Sequence, residues 1–575
     1  MGAQVSRVGD WLEERVGYRA ILKSALEEPV PGGARWAYVF GSVLMFLLVL
    51  QAVTGVLLAA HYGSSATQAW ASVAYLQTQV PLGWLIRGIH SAGASAMMIV
   101  VDLHLLQVTL FGAYRKPREV NWWVGLAMMA CLFGFALTGY LLPWDQKGYW
   151  ATQVATSLLG AMPVVGNSLK SLLLGGSDYG NYTITHFYAL HILVLPAAMA
   201  TLAVVHLALF RKHGVTSWAR KKKESGAPES SAPFWPDQLV RDFAAMLLVL
   251  GLMLAFVLRS HGASLEAPAD PTSAYDARPE WYFLPLYQML KYFPGRLEIV
   301  AALGVPLLIG GALAALPLLD AAEHADASKR KRFVAVVILF LGGGLGLGLQ
   351  AHFSDSHNAA FQRSAARAER EGARALKLAE AGVPPAGGLA VLDNDPLSRA
   401  QKIFHERCIG CHLLGGEGER RAPDLDGWSS RAWLSAFLRD PSNERFYGKT
   451  KIHGMKPVKP GTIDGADFDA LVEWIFSQGG GDGVDAKKAA RGREVFESSG
   501  CDECHESDGK TAGEGIPNLG GRASAAWLAG FIADPSGETY FGSKNDMPKF
   551  GAKCSAAEID ALVALVRNER NPPQR

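Results

Sequence analysis

Charge is scarce in this sequence, and the two signs nearly cancel. Of its 575 residues, 19% are charged and 49% are hydrophobic, and the formal net charge is +2. The chain therefore lacks the excess of Lys and Arg that binding to nucleic acid requires. The scarcity is also uneven, because long apolar blocks dominate up to about residue 353 and ordinary soluble sequence follows. This length and pattern predict several domains, with the first part in a membrane.

Cysteine is also scarce, and its placement does not fit a disulfide framework. There are six cysteines: Cys131 lies in an apolar run, four lie in two Cys-x-x-Cys-His motifs, and Cys554 stands alone. The start of the chain also lacks the pattern of a cleavable signal peptide. The four motif cysteines are therefore the ones expected to carry chemistry.

Long apolar runs, in contrast, are abundant in the first part of the chain. A helix needs about 20 apolar residues to cross a bilayer. Seven segments qualify, at roughly 36–60, 82–111, 121–142, 186–210, 241–259, 297–319 and 333–351. Before them, "VGDWLEERVGYRAIL" spaces its apolar residues as an amphipathic helix does, so residues 1–35 are predicted to contain a surface helix.

The Lys and Arg clusters predict the orientation of these segments. "YRKPR" (114–118) follows the second segment, "RKHGVTSWARKKK" (211–223) the fourth and "SKRKR" (328–332) the sixth. The positive-inside rule places all three clusters in the cytoplasm together with the N-terminus. Seven crossings then leave the C-terminus outside, on the periplasmic side of a bacterial inner membrane. The loop between the fifth and sixth segments also faces outside.

Residues 354–395 are predicted to be a linker. "AARAEREGARALKLAEAG" is rich in helix formers with opposite charges three to four residues apart, and "VPPAGG" then breaks the pattern. We expect a solvated helical spacer here, without chemistry of its own.

The rest of the chain repeats itself. "RCIGCHLLGGEG" and "GMKP" in residues 396–480 are matched by "GCDECHESDGK" and "DMPKF" in residues 487–570. The sequence therefore predicts two tandem copies of one small domain.

Each copy carries the attachment motif of c-type haem, in which two thiols bond the porphyrin and the adjacent histidine ligates the iron. The motifs are Cys408, Cys411 and His412 in the first copy, and Cys501, Cys504 and His505 in the second. A methionine thioether is the expected sixth ligand. Met455 and Met547 lie 47 and 46 residues beyond the first cysteine of each motif, which makes them the candidates.

Other interpretations of these motifs are a zinc site or a thioredoxin-like dithiol. The duplication of both the motif and the methionine favours haem over either. His453 is a rival to Met455 for the first iron, but only Met455 matches the repeat. Since covalent haem c is attached outside the cytoplasmic membrane, the haem interpretation agrees with the charge-derived orientation.

Four histidines lie at matched spacing within the membrane segments. His90 and His104 are fourteen residues apart in the second segment, and His191 and His206 are fifteen apart in the fourth. At 100° per residue these spacings miss whole turns by about 40° and 60°, so each pair keeps to one helix face. The rise along a helix separates the members of a pair by about 21–23 Å. Two such helices can hold two stacked haems, whereas a lone membrane histidine more often packs or lines a pore.

Glycines and one arginine support the haem interpretation. Gly41 and Gly55 are fourteen residues apart in the first segment, and Gly125 and Gly139 in the third. Such gaps are expected where a porphyrin edge packs against a helix. Arg87 precedes His90 by three residues and could pair with a haem propionate, or could reach the membrane interface as arginines commonly do.

The histidine pattern together with "TGYLLPWDQKGYWA" (138–151) and "RPEWYFLPLYQMLK" (278–291) resembles cytochrome b of the quinol-oxidising cytochrome bc complexes. The likeness covers roughly residues 8–353 and is stronger to the photosynthetic arrangement, as a fusion of a four-helix cytochrome b with a three-helix subunit IV. The tail resembles class I cytochromes c. The resemblance implies an all-α fold with a dihaem domain at 36–223 and a subunit IV-like domain at 224–353.

The resemblance also implies roles for particular residues. It pairs His90 with His191 for an outer haem b, and His104 with His206 for an inner one. It places the outer quinol-oxidation pocket at Pro279, Glu280, Trp281 and Tyr282, with Pro143 and Trp144 on the opposite wall. Arg211, Lys212 and Asp242 are candidates for an inner quinone site. Val39 stands where photosynthetic relatives carry a cysteine, so no covalent haem is expected there.

The function that follows is the core subunit of a quinol:cytochrome c oxidoreductase with two haems b and two haems c, coupled to proton translocation. A Rieske iron–sulfur protein must be a separate subunit, and a periplasmic cytochrome or a terminal oxidase would receive the electrons. The alternative is a passive haem conduit without quinol chemistry, which would have no use for "PEWY" or "PWDQ". Family analogy alone suggests a homodimer.

Overall fold

The computed structural model describes residues 2–19, 23, 26–216, 231–273, 275–320, 329–452, 454–463, 465–480, 483–509 and 513–569. His453 lies outside these residues, as does the predicted boundary between residues 223 and 224. The chain forms two compact units, residues 1–390 and 391–575, and each is described by itself.

In the described part of the first unit, the regular structure is helical apart from one short pair of strands. Its elements are α1 Gly2–Val16, β1 Pro29–Pro31, α2 Val39–Ala59, α3 Ala69–Thr78, α4 Gly83–Phe111, α5 Glu119–Leu141, α6 Gln146–Gly160, α7 Gly166–Leu174, α8 Asn181–Ala189, α9 Leu195–His213, β2 Ser231–Pro233, α10 Leu239–Ser260, α11 Leu284–Leu290, α12 Val305–Leu319, α13 Lys331–His357 and α14 Ala359–Ala379. Short 3₁₀ turns lie at Trp36–Tyr38 and Gly295–Leu297, and π-helical turns at Leu190–Val194, Phe234–Gln238 and Val300–Gly304. Strands β1 and β2 pair antiparallel, with Val30 opposite Ala232.

Seven helices in the described part are long and apolar enough to cross a membrane, which confirms the predicted number of segments. They span Trp36–Ala59, Gly83–Phe111, Glu119–Leu141, Asn181–His213, Phe234–Ser260, Val300–Leu319 and Lys331–His357. Helix α2 packs on α4, α5 packs on α9, and α10 packs on both α2 and α4. The buried residues at the centre of this bundle include Val43, Leu47, Met97, Leu132 and Met199.

A π-helical turn at Leu190–Val194 joins α8 to α9 and contains His191. A π turn holds one more residue than an α turn, and such turns are frequent at functional sites. Pro196 follows in the first turn of α9 and has no N–H to donate to the helix ladder. The extra residue explains why His191 and His206 are fifteen apart while His90 and His104 are fourteen apart.

One face of the linker helix α14 is buried, whereas a solvated spacer was predicted. Gly372, Ala375 and Ala379 are buried, and a side chain at Gly372 would come within 3.0 Å of Cα of Glu266. The Arg278 guanidinium lies 4.4 Å from the centre of the Phe361 ring. Helix α14 therefore packs on the loop before α11. The alternating charges of its sequence are typical of an exposed helix, so the buried face of small residues was not predicted.

A buried ion pair holds the loop before α13. Arg330 and Asp320 are both fully buried, with 3.4 Å between Nη1 and Oδ2. Arg330 also donates to the carbonyls of Thr109 and Leu110, which end α4, at 3.1 and 2.8 Å. Tyr114 donates its hydroxyl to Asp320 at 2.6 Å. A buried charged pair of this kind survives only when its remaining hydrogen bonds are made, as they are here.

The second unit contains both sequence repeats. Its elements are α15 Leu389–Asp393 at the junction, α16 Pro396–Arg407, β3 Leu413–Leu414, β4 Glu417–Gly418, α17 Arg431–Arg439, α18 Gly465–Ser477, α19 Ala486–Ser498, α20 Ala525–Ala533, a 3₁₀ turn at Gly542–Lys544 and α21 Ala556–Asn568. Serines cap α17 and α20 identically, because Ser430 and Ser524 accept from the backbones of Trp433 and Trp527 at 3.2 Å.

The two repeats interlock in one hydrophobic core. Helix α16 of the first repeat packs on α21 of the second, and α18 of the first packs on α19 of the second. Equivalent positions also meet, because Tyr447 lies against Phe541, and the Arg522 guanidinium lies 5.2 Å from the Trp428 ring. The ranges 396–480 and 487–570 therefore describe repeats of sequence that the fold joins into one body.

Candidate functional site

The outer histidine pair faces across the bundle. The ring centres of His90, on α4, and His191, in the π turn, are 6.3 Å apart. A metal–imidazole bond is about 2.0 Å long, so a metal ion between two imidazoles separates their ring centres by about 6 Å. The two rings therefore fit a single iron between them.

Each of the four predicted glycines faces one of the four histidines. A Cβ at Gly139 would lie 2.6 Å from Cε1 of His191, and one at Gly55 would lie 3.3 Å from Cε1 of His90. At Gly125 the distance to Cε1 of His206 would be 3.4 Å, and at Gly41 that to Cε1 of His104 would be 3.8 Å. The glycines were predicted to make room for a porphyrin edge. In the structure they also leave room for the imidazole rings, most tightly at Gly139.

Two threonines that the sequence analysis did not single out orient the outer pair. Oγ1 of Thr54 lies 2.9 Å from Nδ1 of His90, and Oγ1 of Thr138 lies 3.0 Å from Nδ1 of His191. Each hydroxyl donates to the carbonyl four residues earlier, at 2.7 Å, so each can accept the N–H of the ring. This contact leaves Nε2 of the imidazole free for a metal. The sequence signal was the dipeptide Thr-Gly, which occurs in both segments.

The inner pair lies deeper in the same bundle. His104 on α4 and His206 on α9 are close enough to interact electrostatically. Gly41 on α2 and Gly125 on α5 flank them. Helices α4 and α9 with its preceding π turn thus place histidines near one another at two levels of the bundle.

The two loop motifs quoted from the sequence meet in the structure. Nζ of Lys147, in "PWDQK", donates to Oε1 of Glu280, in "PEWY", at 2.6 Å. Backbone hydrogen bonds hold the two loops together: Gln146 donates to Ala267 at 2.9 Å, and Ala269 donates to Trp144 at 3.0 Å. Lys147 was not among the predicted site residues.

Lys147 is charged in this setting. Burial by itself lowers the pKa of Lys147, but Glu280 and the nearby carboxylates outweigh burial and raise that pKa. The side chains of Lys147 and Glu280 remain 28% and 33% exposed. Both side chains are therefore mostly buried and only partly accessible to solvent.

The remaining predicted residues of the outer site lie around this ion pair. Trp144, after Pro143, is buried with a φ of 50°, in the left-handed region that few residues other than glycine adopt. Trp281, after Pro279, donates its indole N–H to Ser95 on α4 at 3.3 Å. Tyr282 packs against the core of the bundle. Strained backbone of the kind seen at Trp144 clusters at functional sites.

Arg87 is held by protein groups. Its guanidinium donates to the carbonyls of Ala263 and Ser264 at 2.8 and 2.7 Å, and to the side chain of Gln77. It therefore ties α4 and α3 to the loop that follows α10.

The three candidates for the inner quinone site differ in their surroundings. Asp242 is buried and accepts from Ser42 and Gln238, both at 2.8 Å. Arg211 forms an ion pair with Glu28 at 2.7 Å, and Lys212 is exposed. Only Asp242 has the burial of a site residue. Ser42 connects it to the stretch of α2 that contains Gly41.

The two Cys-x-x-Cys-His turns have the same local structure. His412 and His505 donate their backbone N–H to the carbonyls of Cys408 and Cys501, at 2.9 and 3.0 Å, so each motif is one tight turn. Nδ1 of His412 lies 2.8 Å from the carbonyl of Pro423, and Nδ1 of His505 lies 3.1 Å from that of Pro517.

This contact suits an iron ligand. An Nδ1–H donated to a backbone carbonyl leaves Nε2 available to a metal. Burial lowers the pKa of both His412 and His505, which favours the neutral imidazole that ligation needs. The contact was also visible in the sequence, as a proline at the same position of both repeats.

The thiols and thioethers complete the description of the second unit. Cys408 and Cys501 are half-buried, and Cys411 and Cys504 are exposed at the ends of the turns. Met547 packs against the core, and Met455 is at the surface. Among the residues that the structure describes, no three His, Cys, Asp or Glu side chains group to hold a metal ion.

Comparison with known families matches four stretches of the chain. Residues 25–214 match cytochrome b/b6/petB, and residues 268–361 match the C-terminal part of cytochrome b/b6/petD. Residues 397–478 match cytochrome c, and residues 487–566 match subunit III of cbb3-type cytochrome c oxidase.

Individual relatives agree with these matches. Cytochrome b of Cereibacter sphaeroides is 36% identical over 50% of this chain and 67% of its own length. Cytochrome b6 of Auxenochlorella protothecoides is 40% identical over 37% of this chain and 99% of its own. For cytochrome b/c1 of Bradyrhizobium diazoefficiens the identity is 33%, over 57% of this chain and 49% of that protein. A solved chain of a hyperthermophilic respiratory Complex III covers 64% of this chain and 96% of its own, with a TM-score of 0.53 and 27% identity.

Proposed function

The chain belongs to the cytochrome b/b6 family and carries cytochrome c sequence at its C-terminal end, and from this premise we propose that it is the core subunit of a quinol:cytochrome c oxidoreductase. The contact between Lys147 and Glu280 is the observation that carries the proposal, because it brings together the two motifs of an outer quinol pocket. The proposed location is a bacterial inner membrane. The N-terminus is placed in the cytoplasm, and the haem c domains in the periplasm.

The proposed cofactors are two haems b and two haems c, which supply one-electron transfer. His90 with His191 would hold the outer haem b, and the 6.3 Å between their ring centres fits this role. His104 with His206 would hold the inner one. Each haem c would be bound through the cysteines and histidine of its motif, with Met455 and Met547 as the other iron ligands.

At the outer pocket, Glu280 is proposed to take a proton from the quinol hydroxyl. Proton transfer requires a group within hydrogen-bond reach of the quinol hydroxyl. Glu280 lies in the loop proposed to border the quinol, and its side chain is 33% exposed. Lys147 holds the carboxylate in place from the side of the "PWDQK" loop. Trp144, Trp281 and Tyr282 would form apolar walls that exclude water from the quinol ring.

The electrons from the quinol would divide. One would go to a Rieske iron–sulfur protein, a separate subunit, and then through the haem c unit to a periplasmic cytochrome or a terminal oxidase. The other would cross the membrane through both histidine pairs to a quinone at the inner face. Asp242 is the proposed proton donor there, since it is buried and close to the inner pair through Ser42. Proton release outside and uptake inside would couple the reaction to proton translocation.

Glu280→Gln tests this function against the alternative of a passive conduit. Glu298→Gln is the matched control, because Glu298 is exposed beyond α11. We expect Glu280→Gln to lower quinol oxidation several-fold while haem content stays at two b and two c per chain by the pyridine-haemochrome spectrum. Unchanged turnover in Glu280→Gln would favour the conduit, which needs the haem ligands and no carboxylate.

A further inference from the structure

A second carboxylate lies behind the ion pair of the outer site. Glu266 sits in the loop before "PEWY", where its backbone N–H donates to Oδ2 of Asp145 at 3.2 Å. Its Oε2 accepts from the hydroxyl of Tyr275 at 2.8 Å. Both carboxylates interact with the charge of Lys147, the partner of Glu280. Glu280 forms the ion pair with Lys147, and Glu266 lies within electrostatic reach of the same ammonium group. Only Glu280 belongs to the quinol motif.

The setting of Glu266 alters its acidity. Burial, together with the neighbouring charge of Asp145, raises the pKa of Glu266 from its usual value to about 7. A group with this pKa can both take up and release a proton at neutral pH, which is the requirement for a proton-transfer residue.

A small cavity connects Glu266 to the surface. Its volume is about 30 Å³, enough for one or two water molecules. It is lined by Gln146, Glu266, Ala267, Ser273, Tyr275, Ser364, Arg367, Ala368 and Glu371. Its outer wall is α14, on which Arg367 and Glu371 form an ion pair 3.6 Å long with side chains 27% and 38% exposed. The packing of α14 on this loop therefore encloses a polar, water-sized space between Glu266 and the solution.

We propose that Glu266 receives the proton that Glu280 takes from quinol and passes it through the cavity under α14 to the outer solution. This inference rests on the proposed quinol oxidation. It gives α14 a role that the sequence did not suggest, as the outer wall of a proton exit.

The transfer balances in protons and charge. The quinol O–H bond breaks and an O–H bond forms on the Glu280 carboxylate, which then no longer neutralises Lys147. The proton next moves from the Glu280 carboxylic acid to the Glu266 carboxylate, and Glu280 returns to its ion pair with Lys147. Finally, Glu266 releases the proton to water in the cavity. The electrons leave the quinol by the routes given above, and no further reactant is needed.

The rate of quinol oxidation should depend on pH because Glu266 accepts a proton only in its deprotonated form. The groups that face it are Tyr140, Asp145, Lys147, Tyr275, Arg367 and Glu371. Only deprotonated Glu266 can accept a proton, so the rate of quinol oxidation should rise as the pH passes through about 7 and then level off. Without an ionisable group at position 266, the rise of the rate near pH 7 should disappear.

The test is the rate at which an added short-chain quinol reduces the haems of the full chain in its native membranes, followed by haem absorbance across this pH range. We expect Glu266→Gln to be three- to ten-fold slower than the wild type at the plateau and to show no rise near pH 7. Glu266→Asp should keep a rise, shifted in pH. Glu380→Gln is the matched control, since Glu380 is exposed just after α14 and lines no part of the cavity.

An infrared pH titration of the purified protein gives a readout that a merely structural role would not move. A carboxylic acid C=O band should disappear as the pH rises through about 7 in the wild type and should be missing from Glu266→Gln. A Glu266→Gln protein that retains its haems and the wild-type pH step would overturn the proton exit alone. A wild type that holds its haems and oxidises no quinol would instead overturn the proposed function, and this inference with it.

Discussion

Replacing the four histidine-facing glycines with alanine, one at a time, should weaken haem binding in the order of their clearances. The hypothetical Cβ lies 2.6 Å from the ring at Gly139, 3.3 Å at Gly55, 3.4 Å at Gly125 and 3.8 Å at Gly41. A real Cβ contact at 3.8 Å is ordinary, whereas 2.6 Å forces either the ring or the helix to move. Gly139→Ala and Gly41→Ala are therefore matched substitutions that differ in one distance.

The magnitude at Gly139 is a balance of two effects. Alanine in place of glycine favours a helix by up to about 1 kcal/mol. Overpacking a well-filled interior costs about 1–3 kcal/mol. The ring of His191 cannot turn away freely, because Thr138 holds its Nδ1 at 3.0 Å. A net cost of about 1–2 kcal/mol would weaken binding at the outer pair roughly 5- to 30-fold, since 1.4 kcal/mol is a factor of ten.

The assay is the haem b content of each purified variant, with the outer and inner haems separated by redox titration. Gly139→Ala should lose outer haem and retain inner haem, and Gly41→Ala should retain both. Equal retention by the two variants, or a greater loss in Gly41→Ala, would refute the steric argument and with it the assignment of these helix faces.

Three further predictions concern other contacts. Thr138→Val removes the acceptor of the His191 N–H, which makes the imidazole a weaker electron donor to the iron. The midpoint potential of the outer haem should therefore rise by about 20–60 mV in a redox titration. An unchanged potential would contradict a role for this contact. Arg330→Met removes the buried cation of the pair with Asp320 and should lower stability by about 3–5 kcal/mol, measured as thermal unfolding in detergent. The exposed control Arg332→Met should change stability little. The excised unit 391–575 should unfold in one calorimetric transition, because α16 packs on α21 and α18 on α19 across the repeats; two resolved transitions would show independent domains.

The membrane part of the fold was predictable because hydropathy and helix length suffice to define a span. Helical periodicity predicted that His90 and His104 lie on one face of their helix, since fourteen residues make about four turns. The pairing of His90 with His191 came from the resemblance to cytochrome b. The π turn at His191 was not, although Pro196 and the odd spacing of fifteen both indicated a disturbance of the helix. Thr54 and Thr138 were missed because threonine in a membrane helix usually bonds its own backbone, and only the packing of neighbouring helices reveals the second contact.

The outer site was only half predictable. The two motifs identified its walls, but the ion pair between Lys147 and Glu280 joins residues 133 positions apart, and no local pattern encodes that contact. The packing of α14 on the loop that contains Glu266 was unpredictable for the same reason. Its charge pattern is typical of an exposed helix, while the small residues Gly372 and Ala375, which allow its close approach to Glu266, are uninformative without a partner surface.

The sequence motifs of the two repeats do not predict which helices pack together. Each Cys-x-x-Cys-His turn follows a helix that rests on the last helix of the other repeat. Helix α16 ends at Arg407, next to Cys408, and α19 ends at Ser498, three residues before Cys501. Arg407 contacts the thiol of Cys554, at 3.4 Å from its Sγ, so a residue of the second repeat supports the first attachment turn. Helices α18 and α19 follow one another in the chain and pack on each other, although they belong to different repeats. A substitution in α21 should therefore disturb the Cys408–His412 turn of the first repeat before the Cys501–His505 turn of its own repeat. Two independently folded repeats would show the opposite order.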